Sequence, residues 1–320
     1  MNDETTTHGT APPIPIPNTI SAEAQSYLSL MTTAPRTGGY SAETPEGWTA
    51  LAARGDAIMA EHAARTGAGF LGRIDRHAVG GFTIYEITPN SIAAQNRGRA
   101  VLYVHGGAYL FGGGDLSAAM ALQHAQRLGC KVYAPDYRMP PTYLFPFAID
   151  DVLSTYGEML KTVDARRLGV IGLSAGGGIA AAMVLKARDQ GLPLPGALIL
   201  LSPEADLSEA GDSFRACAFP MTFVAINAMY ANGEDLKHPY LSPLYGDFTK
   251  GYPPTMLQAG TRDFFLSNCA LLHRRLRNAG VDAELHIWEA MPHGGFGGLT
   301  AEDQDVLDEQ ERFLNRTLAQ

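Results

Sequence analysis

The chain has 320 residues, 46% of them apolar and 18% charged, with a formal net charge of −9. Such a composition supports one large core plus a smaller appendage and excludes global disorder. The acidic balance argues against a nucleic-acid partner, which needs a concentrated basic surface, and mildly against an anionic membrane surface. Cys130, Cys217 and Cys269 are scattered, odd in number and outside any CxxC pairing, so neither a disulfide framework nor a zinc or other metal site is expected. Residues 1–5 lack the basic and apolar regions of a signal peptide, and no run approaches the ~18 apolar residues of a membrane span. A soluble cytoplasmic protein is the expectation.

Residues 1–17 are polar and then proline-rich, with Pro12, Pro13, Pro15 and Pro17, and are expected to form an extended arm. Helices are predicted near Ser21–Met31 and Thr44–Thr66, the second capped by Thr44, with Pro45 in its first turn and Gly67 as its stop. From about residue 70 short β-rich runs alternate with helical segments. Strands are predicted at Phe82–Ile87, Ala100–Val104, Lys131–Ala134, Leu168–Gly172, Ala197–Leu201, Thr255–Ala259 and Ala283–Trp288. Helices are predicted at Ser117–Leu128, Phe147–Leu160, Gly176–Arg188 and Ala301–Leu318. This alternation implies an α/β fold, a mostly parallel sheet with helices on both faces, whose ligands bind at the carboxyl ends of the strands. Residues 207–252 break the rhythm, with one helical stretch near Thr222–Ala231. The expected organisation is an arm with cap helices (1–66), a first catalytic part (67–206), a cap insertion (207–252) and a second catalytic part (253–320).

The strongest motif is Gly172-Leu173-Ser174-Ala175-Gly176-Gly177-Gly178, between a predicted strand and a predicted helix. A serine in so sharp a turn projects its hydroxyl above the sheet, the small neighbours relieve crowding, and the helix N-terminus adds partial positive charge. The competing reading is a phosphate-binding glycine turn, but these glycines do not form G-x-G-x-x-G. His105-Gly106-Gly107-Ala108-Tyr109 ends another buried strand and could bring main-chain amides to a tetrahedral intermediate. The donors would be Gly107, Ala108, Ala175 and also Gly106, each worth roughly 3 kcal/mol. Taken alone, that segment is an ordinary glycine turn. A serine nucleophile needs a neutral imidazole; His293, on a loop after a predicted strand, is the candidate, with surface or core roles for His62, His77, His124 and His273. The imidazole needs an orienting carboxylate. Asp263, in Gly260-Thr261-Arg262-Asp263 after a predicted strand, is preferred to Asp282, which precedes its strand, and to Glu289, which is too near His293 along the chain. The order Ser174, Asp263, His293 is the one expected of a nucleophile-elbow hydrolase.

On these residues the chain resembles the bacterial hormone-sensitive-lipase-like (family IV) esterases of the α/β-hydrolase superfamily, from about residue 80 onward. The resemblance is carried by His105-Gly106-Gly107-Ala108, Asp136-Tyr137-Arg138, Gly172-Leu173-Ser174-Ala175-Gly176-Gly177, Ser202-Pro203, Asp206-Leu207, Ser242-Pro243-Leu244, Pro253-Pro254, Gly260-Thr261-Arg262-Asp263 and His293-Gly294. It implies an α/β-hydrolase fold with a helical cap, cofactor-free hydrolysis of short- to medium-chain acyl esters, and a monomer or homodimer. Four departures stand out. Ala108 replaces a usual third glycine, tolerable if its φ is negative. Leu173 replaces a common Asp that ties the elbow down. Glu204 replaces a typical aromatic, and reads either as a solvated loop carboxylate or as a contact to a polar or cationic part of the substrate. The run Tyr137–Thr142 lacks the usual closing Glu, a local structural change.

The leading functional expectation is a serine carboxylesterase acting through an acyl-enzyme on a small-molecule ester. Lactone, carbamate or aryl amide hydrolysis uses the same apparatus, lactones being the nearest alternative. A non-catalytic ligand-binding relative is the remote reading, since nucleophile and base are both retained, and a peptidase is disfavoured for want of a recognition domain. Tyr27, Tyr40, Tyr109, Phe219, Met221, Phe223 and Tyr230 suit a hydrophobic pocket, though packing within a cap explains them equally; of these, Tyr109 and also Glu204 are taken as candidate substrate contacts.

Overall fold

The computed structural model describes residues 14–33, 41–217 and 222–319. Of the residues singled out above, Pro12, Pro13, Tyr40, Phe219 and Met221 lie outside them. Helices α1 (Ala22–Thr33) and α2 (Pro45–Thr66) come first. The start of α2 follows its sequence signals: the Thr44 side chain accepts the Gly47 amide and proline occupies the first turn.

Eight strands form one sheet, in the order β1-β2-β4-β3-β5-β6-β7-β8. They are β1 (Gly72–Val79), β2 (Phe82–Pro89), β3 (Ala100–Val104), β4 (Lys131–Asp136), β5 (Leu168–Leu173), β6 (Ala197–Leu201), β7 (Thr255–Arg262) and β8 (Ala283–Pro292). β1 and β2 pair antiparallel, β2 joins β4 antiparallel, and the strands from β4 to β8 run parallel. α3 (Asp115–Leu128) and α9 (Ala301–Thr317) cover one face; α4 (Phe147–Leu160), α5 (Ala175–Asp189) and α8 (Leu266–Asn278) cover the other. The central strands serve both layers by alternation. In β3, Leu102 and Val104 enter the α4/α5 core while Val101 and Tyr103 enter the α3/α9 core. Each such aliphatic side chain contributes roughly 1.5–3 kcal/mol by its burial.

Three strands or α-helices go beyond the sequence expectations, one of them the short helix Ser213–Ala216. β1 is an edge strand with a mostly exposed sequence, Gly-Arg-Ile-Asp-Arg-His-Ala-Val, so it carries no hydrophobic alternation to betray it; its charges suit an unpaired edge. α8 was also not anticipated, although its buried Cys269, Leu272 and Leu276 keep helical spacing among arginines.

β3 lies between β4 and β5, so successive connections leave it in opposite directions. The crevice beyond the carboxyl ends of β3 and β5 is therefore the expected ligand position in a sheet of this kind. Over it, Phe214 of α6 (Ser213–Ala216) and Phe223 and Ile226, at and within α7 (Val224–Ala231), pack with Trp48 and Leu51 of α2 against Phe111, Phe264 and Phe265. None of the three cysteines is in a disulfide, and no described helix is long and apolar enough to cross a membrane.

Candidate active site

Ser174 occupies the turn from β5 to α5 with φ 57° and ψ −124°, a conformation that costs an L-residue on the order of 1–3 kcal/mol. Its neighbours enforce it. The Ser174 amide donates to Leu201 O at 2.9 Å, and its carbonyl accepts the amides of Gly177 (2.9 Å), Gly178 (3.1 Å) and Glu204 (3.0 Å). The turn can press this close to β3 because Gly176 has no side chain: a Cβ there would lie 2.1 Å from His105 O.

Asp263 directly follows β7 and His293 directly follows β8, so adjacent parallel strands deliver both to the elbow. His293 Nδ1 is 3.1 Å from Asp263 Oδ1, and His293 Nε2 is 2.9 Å from Ser174 Oγ. A carboxylate oxygen only accepts, so Nδ1 carries the hydrogen and Nε2 turns its lone pair to the hydroxyl. Asp263 is fully buried, and its Oδ1 also accepts the Phe265 amide at 2.8 Å. Phe264 and Phe265 flank the imidazole, with ring centroids 4.4 and 5.1 Å away. The rival carboxylates are elsewhere: Asp282 pairs with Arg316 at 3.0 Å and Glu289 is exposed.

The hydroxyl opens into a cavity of about 460 Å³ lined by Gly106, Gly107 and Ala108 and, from the covering helices, by Ile58, Met59 and Phe223. Ala175 is the first residue of α5, where helix amides have no intrahelical acceptor. Gly107 has φ 127°, and a Cβ on it would meet Phe111 O at 1.9 Å, so only glycine fits. The turn is closed by the amides of Leu110 and Phe111, both donating to Gly107 O at 2.8 and 3.0 Å, and by the Gly112 amide donating to Asp56 of α2 at 2.7 Å. His105 is buried, and burial lowers its pKa to about 4. It is therefore neutral, and its Nδ1–H donates to Gly106 O at 2.7 Å.

Residues 101–296 match the family model described as the alpha/beta hydrolase fold. The acetyl-hydrolase of Streptomyces hygroscopicus is 33% identical over 207 residues, 62% of this chain and 69% of that protein. The ethyl acetate hydrolase of Pseudomonas putida is 28% identical over 208 residues, covering 61% and 65% of the two chains. The crystal structure of esterase E25 superposes with a TM-score of 0.88 at 30% identity, over 99% of this chain and all of that one. That of an esterase from the bacterial hormone-sensitive lipase family gives 0.77 at 28%, over 93% and 99%. The chain belongs to the α/β-hydrolase family. Within it, this hydrolase falls among the bacterial hormone-sensitive-lipase-like esterases and is an enzyme of the carboxylic ester hydrolase class.

Two expectations for the hydrolase need correction, and one condition is not met. Ala108 is tolerable without strain only at negative φ; it has φ 49°, and Tyr109 follows at 58°. The chain reverses here within two residues, so the left-handed region is used without glycine, at a cost of roughly 1–2 kcal/mol per residue. Glu204 is neither solvated nor a substrate contact. It is 0% exposed and absent from the cavity lining, because the loop after β6 turns beneath α5 rather than over the crevice: Glu204 O would lie 2.2 Å from a Cβ on Gly178. Tyr109 is likewise no substrate contact, being buried and stacked on Tyr230 with centroids 4.0 Å apart. Tyr27 and Phe223 do line the cavity. Residues the sequence did not flag complete the site. Tyr137 donates its hydroxyl to His105 O at 2.8 Å and stacks on the imidazole at 4.2 Å. Its signal was its place in Asp136-Tyr137-Arg138, read there only as a match. Arg65 and Arg262 also line the cavity; Arg262 stood in Gly260-Thr261-Arg262-Asp263 only as a neighbour of Asp263, and no sequence pattern marked Arg65.

Proposed function

We propose that this hydrolase is a serine carboxylesterase acting on short- to medium-chain acyl esters through an acyl-enzyme, with Ser174, His293 and Asp263 as its triad. The observation that carries the reading is the unbroken hydrogen-bonded line from Asp263 Oδ1 through the imidazole to Ser174 Oγ, at 3.1 and 2.9 Å, on the floor of a largely apolar cavity.

Ser174 Oγ attacks the ester carbonyl carbon as its proton passes to His293 Nε2, and Asp263 stabilises the resulting imidazolium. The negative oxygen is received by the amides of Gly107, Ala108 and Ala175, with Gly106 shaping the turn, and the positive end of α5 points the same way. Collapse expels the alcohol, which takes the proton from Nε2. Water, deprotonated by the same imidazole, then attacks the acyl-enzyme, and collapse returns the proton to Ser174 as the acid leaves. No step calls for a cofactor. Helix α2 and the described residues of the 207–252 segment act as the cap that shields these steps from solvent. The acetyl-hydrolase and ethyl acetate hydrolase among the relatives favour small acyl groups.

The test is p-nitrophenyl acetate and butyrate hydrolysis by wild type and Ser174→Ala. Loss of at least ~10³-fold in kcat is expected from removal of a triad nucleophile, with burst release of p-nitrophenol confined to wild type. Equal rates in the two proteins would end the reading.

A further inference from the structure

Behind the nucleophile lies a second, smaller chamber of about 80 Å³ between the sheet, α3 and α9. It is distinct from the catalytic cavity, yet four residues line both: His62, Met120, Leu173 and Gly294. Gly294 has no side chain, so the wall is made by His62, Met120 and Leu173. Leu173 is the residue directly before the nucleophile, half-buried, its Cγ 3.5 Å from where a Gly106 Cβ would stand. We infer that Leu173, with Met120, is the partition that sets the acyl-chain length limit, and that the chamber behind it is an extension of the acyl site.

The chamber suits a neutral aliphatic chain. Its one carboxylate, Asp303, is occupied by the amides of Phe296, Gly298 and Thr300 and by the Thr300 hydroxyl. Gln258 is engaged with Val306 O and Gln310. His124 is held neutral by burial. Asp303 keeps its charge, solvated by these amides and the hydroxyl, and the His124 ring adds none. The acyl arm is the one that belongs there. In the acyl-enzyme reading, on which this inference rests, the alcohol departs while the acyl group stays tied to Ser174 Oγ, and the chamber, reached past the residue directly before that serine, is assigned to the group that stays. The chamber's size suits a short run of methylenes. Burying each is worth ~0.8 kcal/mol, a factor of about four.

The test is a p-nitrophenyl ester series from acetate to dodecanoate, run on wild type, Leu173→Ala and Met120→Ala, the two variants opening the wall from different elements. Relative to acetate, kcat/KM for esters two or three methylenes beyond the wild-type cut-off should rise at least tenfold in either variant that keeps its fold by thermal unfolding. Adding Val306→Phe, which fills the chamber from α9, should abolish the gain. A parallel series of acetates with lengthening alcohols should show no such shift. An unchanged acyl profile, or a shift on the alcohol arm, overturns the inference. Should neither opened variant fold, Leu173→Phe must shorten the wild-type cut-off, and failure to do so counts equally against it. A wild type that cleaves no ester would instead sink the functional reading, an outcome separable from all of these.

Discussion

Glu204 offers a sharp test of the structure's energetics. Its carboxyl is fully buried, and neither oxygen makes a hydrogen bond of good geometry among the described residues. Burial raises its pKa from the usual 4.5 to about 8; nearby Asn227 partly offsets this, and Glu209 and Asp206 add to it. A folded-state pKa above the unfolded one means that between pH 4.5 and 8 the native state keeps a proton the unfolded state has lost. Stability must therefore fall as pH rises through that window, by ~1.4 kcal/mol per unit, and level off above it. The burden is small near pH 4.5, about 3 kcal/mol at pH 7 and about 5 kcal/mol above pH 8. Glu204→Gln keeps the shape and removes the titration. Urea unfolding of both proteins at intervals from pH 5 to 8.5 should show the variant gaining on wild type steadily across the range. Gln also needs hydrogen-bond partners, which shifts the whole difference curve by a constant but leaves its slope. If the two stability curves ran parallel, the carboxyl would be ionised or solvated in the native state, and the placement of the loop after β6 would be wrong.

Other perturbations test other parts of the site. Asp263→Asn should keep the fold and lower kcat by on the order of 10⁴, because the imidazole loses its orienting acceptor; a loss under tenfold in a steady-state ester assay would remove Asp263 from the triad. Ala108→Val places a β-branched residue at φ 49° and should destabilise by more than ~1–2 kcal/mol, whereas Ala108→Gly should stay within about 1 kcal/mol of wild type; equal effects in thermal melts would contradict the left-handed turn. His124 is buried, with its pKa lowered to about 4. Its contribution is complete above pH 6.5 and is lost as pH falls toward 4, so His124→Leu should lessen acid destabilisation by roughly 3 kcal/mol at pH 4; unchanged acid unfolding would show the ring already charged. Asp303→Ala removes the acceptor that binds the Phe296 and Gly298 amides to the start of α9. It should cost about 1–3 kcal/mol and lower kcat, by loosening the loop that carries His293; a normal kcat would show that loop to be held otherwise.

The parallel sheet and the triad candidates were legible because both rest on local signals. Buried strands such as Leu168–Leu173 are continuous apolar runs, and small residues cluster where a strand turns sharply into a helix. The strand ends were underestimated: β7 runs on to Arg262 and β8 to Pro292, because their last residues include polar and glycine positions that pairing, not hydrophobicity, holds in the sheet. Glu204 and Tyr109 were misread for a different reason. Both follow motifs that point at the crevice, but a residue a few places past a strand end can turn to either side of the sheet, and only tertiary packing decides which. The contribution of α2 was invisible as well, since Asp56, Met59 and His62 look like ordinary positions of a surface helix until the turn over residues 106–112 is laid against them.

Main-chain hydrogen bonds explain how the elbow stands without the aspartate common before the nucleophile. At that position Leu173 offers no hydrogen bond, yet Ser174 is held from both sides by main chain: its amide by Leu201, its carbonyl by Glu204. The loop that supplies the Glu204 amide is fixed in turn by Asn268, whose side chain accepts the Ala205 amide at 2.8 Å. Backbone bonds of this kind survive any side-chain change at 173, so that position is released from a structural duty and is open to a role in shaping the cavity. Leu173→Asp is the decisive substitution here. If main-chain bonds alone hold the elbow, the variant gains no stability, and burying an unpaired carboxylate against Met120 costs it about 1–3 kcal/mol or more. A variant more stable than wild type in thermal unfolding would show that the missing aspartate was needed after all.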